Sequence, residues 1–381
     1  MKVPFVDLSF SYREIKDLFL KDVEALLDKG DFVYSDKIKD LEKTLSEYFN
    51  SGVAYCTSSG TSALELALRA VGIEKYDKVL VPGNTFIATA FAASNVGAIP
   101  VFMDVNPETW NIDYNIVNEA LLKHGKIAAV MPVHLFGRSV DGIKDIYDFC
   151  RAKGIAVIED CAQSFGGSAF INTDFPKNQN KKLGTFSDIS AFSFYPTKNL
   201  GTIGNGGMVL AKHYYAEEVR RIRAYGEEKK YYSAVKGSNY NMSTIQALFL
   251  SCMYPRIDYL NSIRISVAAY YRALFKDCEL EPEFLSTQKE GNNVYHLFPI
   301  KLKDKDTRDK LKDYLSSKEI GTAIHYPVPI HKQRAYAEFN NISLPVCEDL
   351  ADTLLSLPMY PGIDIDQINY VVENIKEFLL K

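Results

Sequence analysis

The stretch Phe192-Ser193-Phe194-Tyr195-Pro196-Thr197-Lys198-Asn199-Leu200-Gly201-Thr202-Ile203-Gly204-Asn205-Gly206-Gly207 decides how this chain is read. Lys198 stands between an aromatic run and the glycines Gly201, Gly204, Gly206 and Gly207. Glycine lets a backbone turn tightly or approach a ligand closely. A lysine walled in by aromatics is desolvated, which lowers its pKa and makes its amine a usable nucleophile. The segment points to a Schiff-base lysine. A solvated loop lysine is the other reading of the same residues.

The surrounding chain narrows the choice. Its 381 residues can bury a large core and are expected to divide in two. An apolar fraction of 47% and a charged fraction of 24% are those of an ordinary globular protein. A net charge of -4 gives no pull toward nucleic acid or an anionic membrane. The cysteines Cys56, Cys150, Cys161, Cys252, Cys278 and Cys347 are scattered without metal-like pairing. Reduced, mostly buried thiols are expected, and no metal site. Met1-Lys2-Val3-Pro4 lacks the apolar core of a signal peptide, and no apolar run is long enough for a bilayer. A soluble, cytoplasmic protein is expected.

Helices are expected from about Tyr12 to Leu27, ending at Gly30, and from about Asp36 to Phe49, where Ile38, Leu41, Leu45 and Tyr48 recur at helical spacing. Four short apolar runs then follow polar or glycine breaks: Val79–Pro82, Ile99–Phe102, Ala128–Pro132 and Ala156–Asp160. Such runs separated by helical segments predict an α/β fold with a mostly parallel sheet. Residues 216–276 read as mainly helical after a tyrosine-rich loop near 225–240. Beyond about residue 278, Val294–Ile300 and Ile324–Tyr326 read as strands of a smaller α+β unit with a final helix. The expected division is 1–260, a large cofactor-binding domain, and 261–381, a small C-terminal domain.

Two further segments carry chemistry. Ser58-Ser59-Gly60-Thr61-Ser62-Ala63-Leu64 begins a helix expected over Ala63 to Val71. Unpaired amides and hydroxyls at a helix start make an anion site, although a plain Ser/Thr cap accounts for the same residues. Asp160 ends a strand in Ile158-Glu159-Asp160-Cys161-Ala162-Gln163. Parallel sheets place ligands at strand carboxyl ends, and a carboxylate there can hold a ring nitrogen protonated. It could equally cap the next helix. No Gly-x-Gly-x-x-Gly follows the first strand, which disfavours a nicotinamide enzyme. An anion site, a strand-end carboxylate and a glycine-framed lysine, in that order, are what pyridoxal phosphate needs.

With those residues in view the chain resembles the DegT/DnrJ/EryC nucleotide-sugar aminotransferases over nearly its whole length. The resemblance is carried by Val81-Pro82-Gly83-Asn84-Thr85-Phe86-Ile87-Ala88-Thr89, Val133–Gly137, Glu159–Gln163, Phe192–Gly207, Ile324–Pro329 and Ser356–Pro361. It implies an aspartate-aminotransferase-like fold (fold type I) and pyridoxal phosphate as cofactor. Lys198 would bond the cofactor aldehyde and shuttle protons, and Asp160 would pair with the pyridinium nitrogen. Gln163 would reach the phenolic oxygen, and Phe86 would stack on the ring. Gly60, Thr61 and Ser193 would hold the phosphate, with Asn239 reaching that of a neighbouring subunit, so a homodimer is implied.

The implied reaction passes nitrogen from L-glutamate to a keto-sugar on a nucleoside diphosphate. A related dehydratase branch carries histidine where this chain has Lys198, so amination is preferred. The segment Gly321–His331 resembles enzymes acting on 3-keto sugars, with His325, Tyr326, His331 and Tyr34 expected near substrate. A 3-keto-6-deoxyhexose on dTDP is the leading expectation. A 4-keto sugar, a 3-keto-uronate and a non-catalytic cofactor-binding regulator are the alternatives.

Departures from the family pattern bear on that choice. Asn241 stands where an arginine is common, which disfavours a uronate. Ser243 also departs, and Val33-Tyr34-Ser35 replaces a segment that usually contains glycine. Asp160 and Lys198 are 38 positions apart, wider than the family suggests, with Asn172–Lys182 as the expected surface insertion.

Overall fold

The computed structural model describes residues 1–171, 179–277, 286–287 and 292–380. Five short strands come first: β1 (Val53–Thr57), β2 (Lys78–Pro82), β3 (Ile99–Met103), β4 (Ala129–Val130) and β5 (Ala156–Asp160). A hairpin of β6 (Ser168–Ile171) and β7 (Gln179–Lys182) separates them from β8 (Ile189–Ser193) and β9 (Gly207–Ala211). Seven of these build one sheet in the order β1-β9-β8-β5-β4-β2-β3. β3, β2, β4, β5 and β8 run parallel, and β9 pairs antiparallel with both β8 and β1. Helices flank the sheet, so its central strands carry consecutive apolar residues, as in Val79-Leu80-Val81 and Ala156-Val157-Ile158.

Hydrophobic burial closes two cores. The larger gathers the sheet and the helices Asp36–Phe49, Gly60–Ala70 and Thr244–Met253. Leu41, Leu45 and Leu64 are almost wholly buried in it, and truncating such a leucine to alanine typically costs about 2–5 kcal/mol. The smaller core lies around a second sheet. Small β10 (Glu227–Lys229) and β11 (Tyr232–Ser233) pair by themselves, and β12 (Ser286–Thr287), β13 (Phe298–Lys301) and β14 (Leu354–Leu357) form that second sheet. The helix Ile257–Asp277 serves both cores: Ile257 and Leu260 face the first, Val267, Tyr271 and Phe275 the second. Val3 joins the second core and bonds Glu319 and Gly321 through its backbone, which ties the chain start to the C-terminal region.

Several elements differ from the periodicity reading. The first helix is broken into Ser9–Arg13 and Lys16–Lys29, and Gly30 closes the latter at φ 69, a left-handed cap that glycine adopts without strain. The helix Asp36–Phe49 has the expected bounds. The helix expected over Ala63 to Val71 starts at Gly60, because Ser59 and Ser62 cap it reciprocally. Val294–Leu297 is not strand. Its backbone bonds Phe136 and Gly137 instead, and only Phe298–Lys301 is β. Ile324–Tyr326 is also irregular, held beside β14 by the single bridge Ala323–Ser356. Of the expected insertion, Asn172–Asn178 lie outside the described residues, and Gln179–Lys182 pair with Ser168–Ile171. Cys278 also lies outside them, whereas Cys56, Cys150, Cys161, Cys252 and Cys347 are buried free thiols. No helix among the described residues is long and apolar enough to cross a membrane.

Candidate active site

Sheet order places the chemistry. β1, β8 and β5 lie within four neighbouring strands and point the same way, so their carboxyl ends open into one crevice. β1 delivers Ser59, Gly60 and Thr61, β8 delivers Ser193 and Lys198, and β5 delivers Asp160 and Gln163. The loop after β2 adds Thr85 and Phe86, and the helix that follows it, Ala88–Asn95, adds Thr89. These residues line a cavity of about 440 Å³, closed on the far side by His296, Leu297, His325 and Tyr326.

The glycine-framed loop holds Lys198 by a tight turn. The Lys198 amide donates to the Tyr195 carbonyl (2.8 Å), and Gly201 packs where a Cβ would stand 2.4 Å from the Pro196 carbonyl oxygen. Asn199 anchors the next position by donating to Asn261 and to the Val294 carbonyl. Burial pulls the Lys198 pKa down to about 8, with the nearby Asp160 carboxylate opposing the drop. Condensation with an aldehyde requires the free amine. The rate at which apoprotein bonds pyridoxal phosphate is therefore expected to rise with pH and level off above about pH 8, the value burial gives Lys198. Stopped-flow absorbance across pH 6–10 checks this, and a rate still climbing through pH 10 is the contrary outcome.

Asp160 is buried, and each carboxylate oxygen already accepts one bond: Oδ1 from the Ala162 amide (3.0 Å) and Oδ2 from the Thr89 hydroxyl (2.9 Å). Burial pushes its pKa up, and these donors with Lys198 and His134 oppose that push. Beneath it, Glu159 accepts from His134 Nε2 (3.0 Å), the Gly184 amide (2.9 Å) and both donors of Ser187 (2.7 and 2.8 Å). Burial alone would raise Glu159, but these bonds more than offset it and hold the carboxyl below its usual range. His134 Nδ1 in turn accepts the Val140 amide, so neither ring nitrogen is free. His134, Glu159 and Cys161 lie close enough to suggest a metal, yet the histidine and carboxylate are saturated by the protein's own donors. The cluster braces the end of β5.

Ser59 and Ser62 spend their hydroxyls on the helix cap. The first backbone bond of that helix runs from Ala63 to Ser59, so the Gly60 and Thr61 amides come before it and point outward. A Cβ on Gly60 would stand 2.8 Å from Ser193 Cβ, and this close approach brings the Ser193 hydroxyl beside those amides. An anion fits there.

Gln163 is turned by two bonds: its Oε1 accepts the Phe136 amide (2.6 Å) and its Nε2 donates to the Tyr326 hydroxyl (3.0 Å). The Phe86 and Tyr326 rings lie 5.6 Å apart, with Phe86 half exposed. His325 stacks on Phe5 and bonds Ser356 through Nδ1 (2.9 Å). Burial, reinforced by Lys198, lowers its pKa to about 4, so it is a neutral imidazole at pH 7.

The remaining expected residues lie elsewhere. His331 is a correction: it is fully buried away from the cavity, with Nε2 bonded to Glu348 (2.9 Å). Tyr34 and Asn239 are exposed and do not line the cavity of their own chain. Asn241 bonds both, through Tyr34 Oη (2.9 Å) and Asn239 Oδ1 (3.1 Å), beside the end of β1.

Sequence reasoning gave no role to Thr85, Thr89 or His296, all of which line the cavity. Each left a signal: two threonines four apart at the start of an alanine-rich helix, and a histidine inside the apolar run Val294–Ile300. A buried polar side chain needs a partner or a task.

Comparison with known proteins agrees with this geometry. The model of the DegT/DnrJ/EryC1/StrS aminotransferase family matches residues 13–376. The chain is 36% identical to the UDP-N-acetyl-3-dehydro-alpha-D-glucosamine 3-aminotransferase of Acidithiobacillus ferrooxidans, over 99% of this chain and 98% of that one. It is 34% identical to the dTDP-3-amino-3,6-dideoxy-alpha-D-galactopyranose transaminase of Aneurinibacillus thermoaerophilus, over 99% of both chains. Its fold superposes on Bacillus subtilis NtdA with bound cofactor PMP at a TM-score of 0.90 and 26% identity, covering 100% of this chain and 86% of NtdA.

Proposed function

The chain belongs to the DegT/DnrJ/EryC1/StrS aminotransferase family, and we propose that it aminates carbon 3 of a neutral 3-keto-6-deoxyhexose carried on dTDP, with L-glutamate as donor. The donor set fits pyridoxal phosphate: a desolvated amine, an anchored carboxylate, outward amides at a helix start, and a Gly60 approach that a Cβ would block. Bound there, the cofactor supplies an aldehyde that takes up the amino group and a protonated ring that draws electrons from the carbon being deprotonated. Lys198 Nζ carries the proton between donor, cofactor and sugar carbons. Asp160 holds the ring-nitrogen proton. Gly60, Thr61 and Ser193 would anchor the phosphate, Phe86 would cover the ring, and Gln163 would give its second Nε2 hydrogen to the phenolic oxygen.

One observation carries the choice of a neutral sugar. Among the described residues that line the cavity there is no arginine, and burial holds the basic side chains His296 and His325 uncharged. Within this chain's own lining a uronate carboxylate would meet no arginine, and Lys198, the one lysine there, is committed to the cofactor, whereas a methyl at carbon 6 suits Phe86, Val133 and Leu297. His325, fixed through Nδ1 on Ser356, keeps Nε2 for a sugar hydroxyl, and Tyr326 stands beside it. Asn239 and Tyr34 do not line their own chain's cavity, and in this reading they complete a partner's site in a homodimer.

The test is incubation of holoprotein with L-glutamate and a panel of keto-sugar nucleotides, with the amine located by NMR. Amination of the dTDP-linked 3-keto-6-deoxyhexose, at least about tenfold faster than of a 3-keto-uronate, is expected. Preference for the uronate or a 4-keto sugar would replace this reading.

A further inference from the structure

Thr89 opens the helix that follows Phe86, and its side chain is 1% exposed. Its Oγ1 lies 2.9 Å from Asp160 Oδ2, 3.3 Å from Thr85 Oγ1 and 3.2 Å from the Phe86 carbonyl oxygen. Thr85 is buried as well. A hydroxyl has one proton to give. A carboxylate gives none, so the bond to Asp160 takes the Thr89 proton, and the Thr89 oxygen is left to accept from Thr85. The two hydroxyls form a directed chain that ends on Asp160. The purely local alternative is common at helix starts: Thr89 donating back to Phe86. That bond is the longer of the two, and it would leave Oδ2 of a buried carboxylate without a donor.

We propose that Thr89, with Thr85 behind it, is a positioning residue for transamination, acting through Asp160 by fixing the carboxylate's orientation and keeping it ionised against the cofactor ring. The proposal rests on the pyridoxal-phosphate reading of this site. The charged and titratable groups that face Asp160 are Lys198, His134, Cys161 and Tyr326, the last two held neutral by burial. Lys198 acts on the carboxylate through charge alone, which varies with the protonation of its nitrogen. His134 is committed to Glu159 and Val140. The donors that persist are the Ala162 amide on Oδ1 and the Thr89 hydroxyl on Oδ2. With both in place, the carboxylate cannot rotate, and its remaining lone pairs serve the ring nitrogen.

Thr89→Val removes the hydroxyl at nearly constant volume, Thr89→Ser keeps it, and Thr85→Val breaks the outer link. A hydrogen bond to a charged group is worth enough that Thr89→Val is expected to bind pyridoxal phosphate about 10- to 100-fold more weakly. The pH at which the bound cofactor's absorbance changes is expected to move by about half a unit or more. The glutamate half-reaction should lose kcat with KM nearly unchanged. Thr89→Ser restores all three readouts, and Thr85→Val shows a smaller change of the same kind. Wild-type affinity and wild-type absorbance transition in Thr89→Val overturn the proposal. Should that variant not fold, an unchanged affinity and transition in Thr85→Val overturn it equally. Failure of the unmodified chain to take up pyridoxal phosphate refutes the functional reading itself, and so is distinct from these outcomes.

Discussion

Lys198→Ala is expected to abolish turnover, lowering the rate of the glutamate half-reaction on the order of 10⁴-fold. The amine does two jobs that no neighbour can assume. On the proposed reading it bonds the cofactor aldehyde and carries the proton between carbons. The other nitrogen bases on the cavity, His296 and His325, are held neutral by burial, and His325 is further tied to Ser356. The substitution is expected to leave the fold intact, because the loop is held by backbone bonds and by Asn199. Borohydride treatment of wild-type holoprotein should leave cofactor on the chain, detected as a mass increase on the peptide containing Lys198. The variant should show none. Near-wild-type turnover in Lys198→Ala would sink the assignment.

Asp160→Asn carries the second largest effect, a fall in half-reaction rate of about 10³-fold together with weaker cofactor binding. The reason is specific to this site. Both carboxylate oxygens accept from fixed donors, the Ala162 amide and the Thr89 hydroxyl. An asparagine with its oxygen on the Ala162 amide presents its NH₂ to Thr89, whose hydroxyl must then turn its proton to the Phe86 carbonyl. On the proposed reading the variant loses the negative charge that holds the ring proton, and the hydrogen-bond chain through Thr89 must reverse in a buried place. Half-reaction kinetics and cofactor titration of the apoprotein measure the two consequences separately. A variant that retains both within about threefold would remove Asp160 from the ring-nitrogen role.

Much of the architecture follows from local pattern. Val79–Pro82 and Ala156–Asp160 read as buried strands because apolar runs of that length, bounded by polar or glycine breaks, have few other stable uses. The helix Asp36–Phe49 shows its buried face in Ile38, Leu41 and Leu45. The regions misread have the opposite character. Val294–Leu297 has the composition of a strand, but its backbone partners are Phe136 and Gly137, more than 150 positions earlier in the chain. Such a partner leaves no periodic trace. His331 sits in a motif that resembles a substrate segment, and only packing shows its ring turned to Glu348.

The sequence by itself determined the reactive groups: an amine flanked by aromatics and glycines at Lys198, a strand-end carboxylate at Asp160, and a helix start at Gly60. Those depend on short-range chemistry, which residue order records. Tertiary structure alone decided that the three meet. Sheet order sets β1, β8 and β5 near one another with carboxyl ends aligned. Burial then shifts Lys198 to about 8 and neutralises His325, while long-range contacts bring His296 and Thr89 to the cavity. Proximity and desolvation belong to the folded arrangement, because both depend on which distant segments exclude water from a side chain.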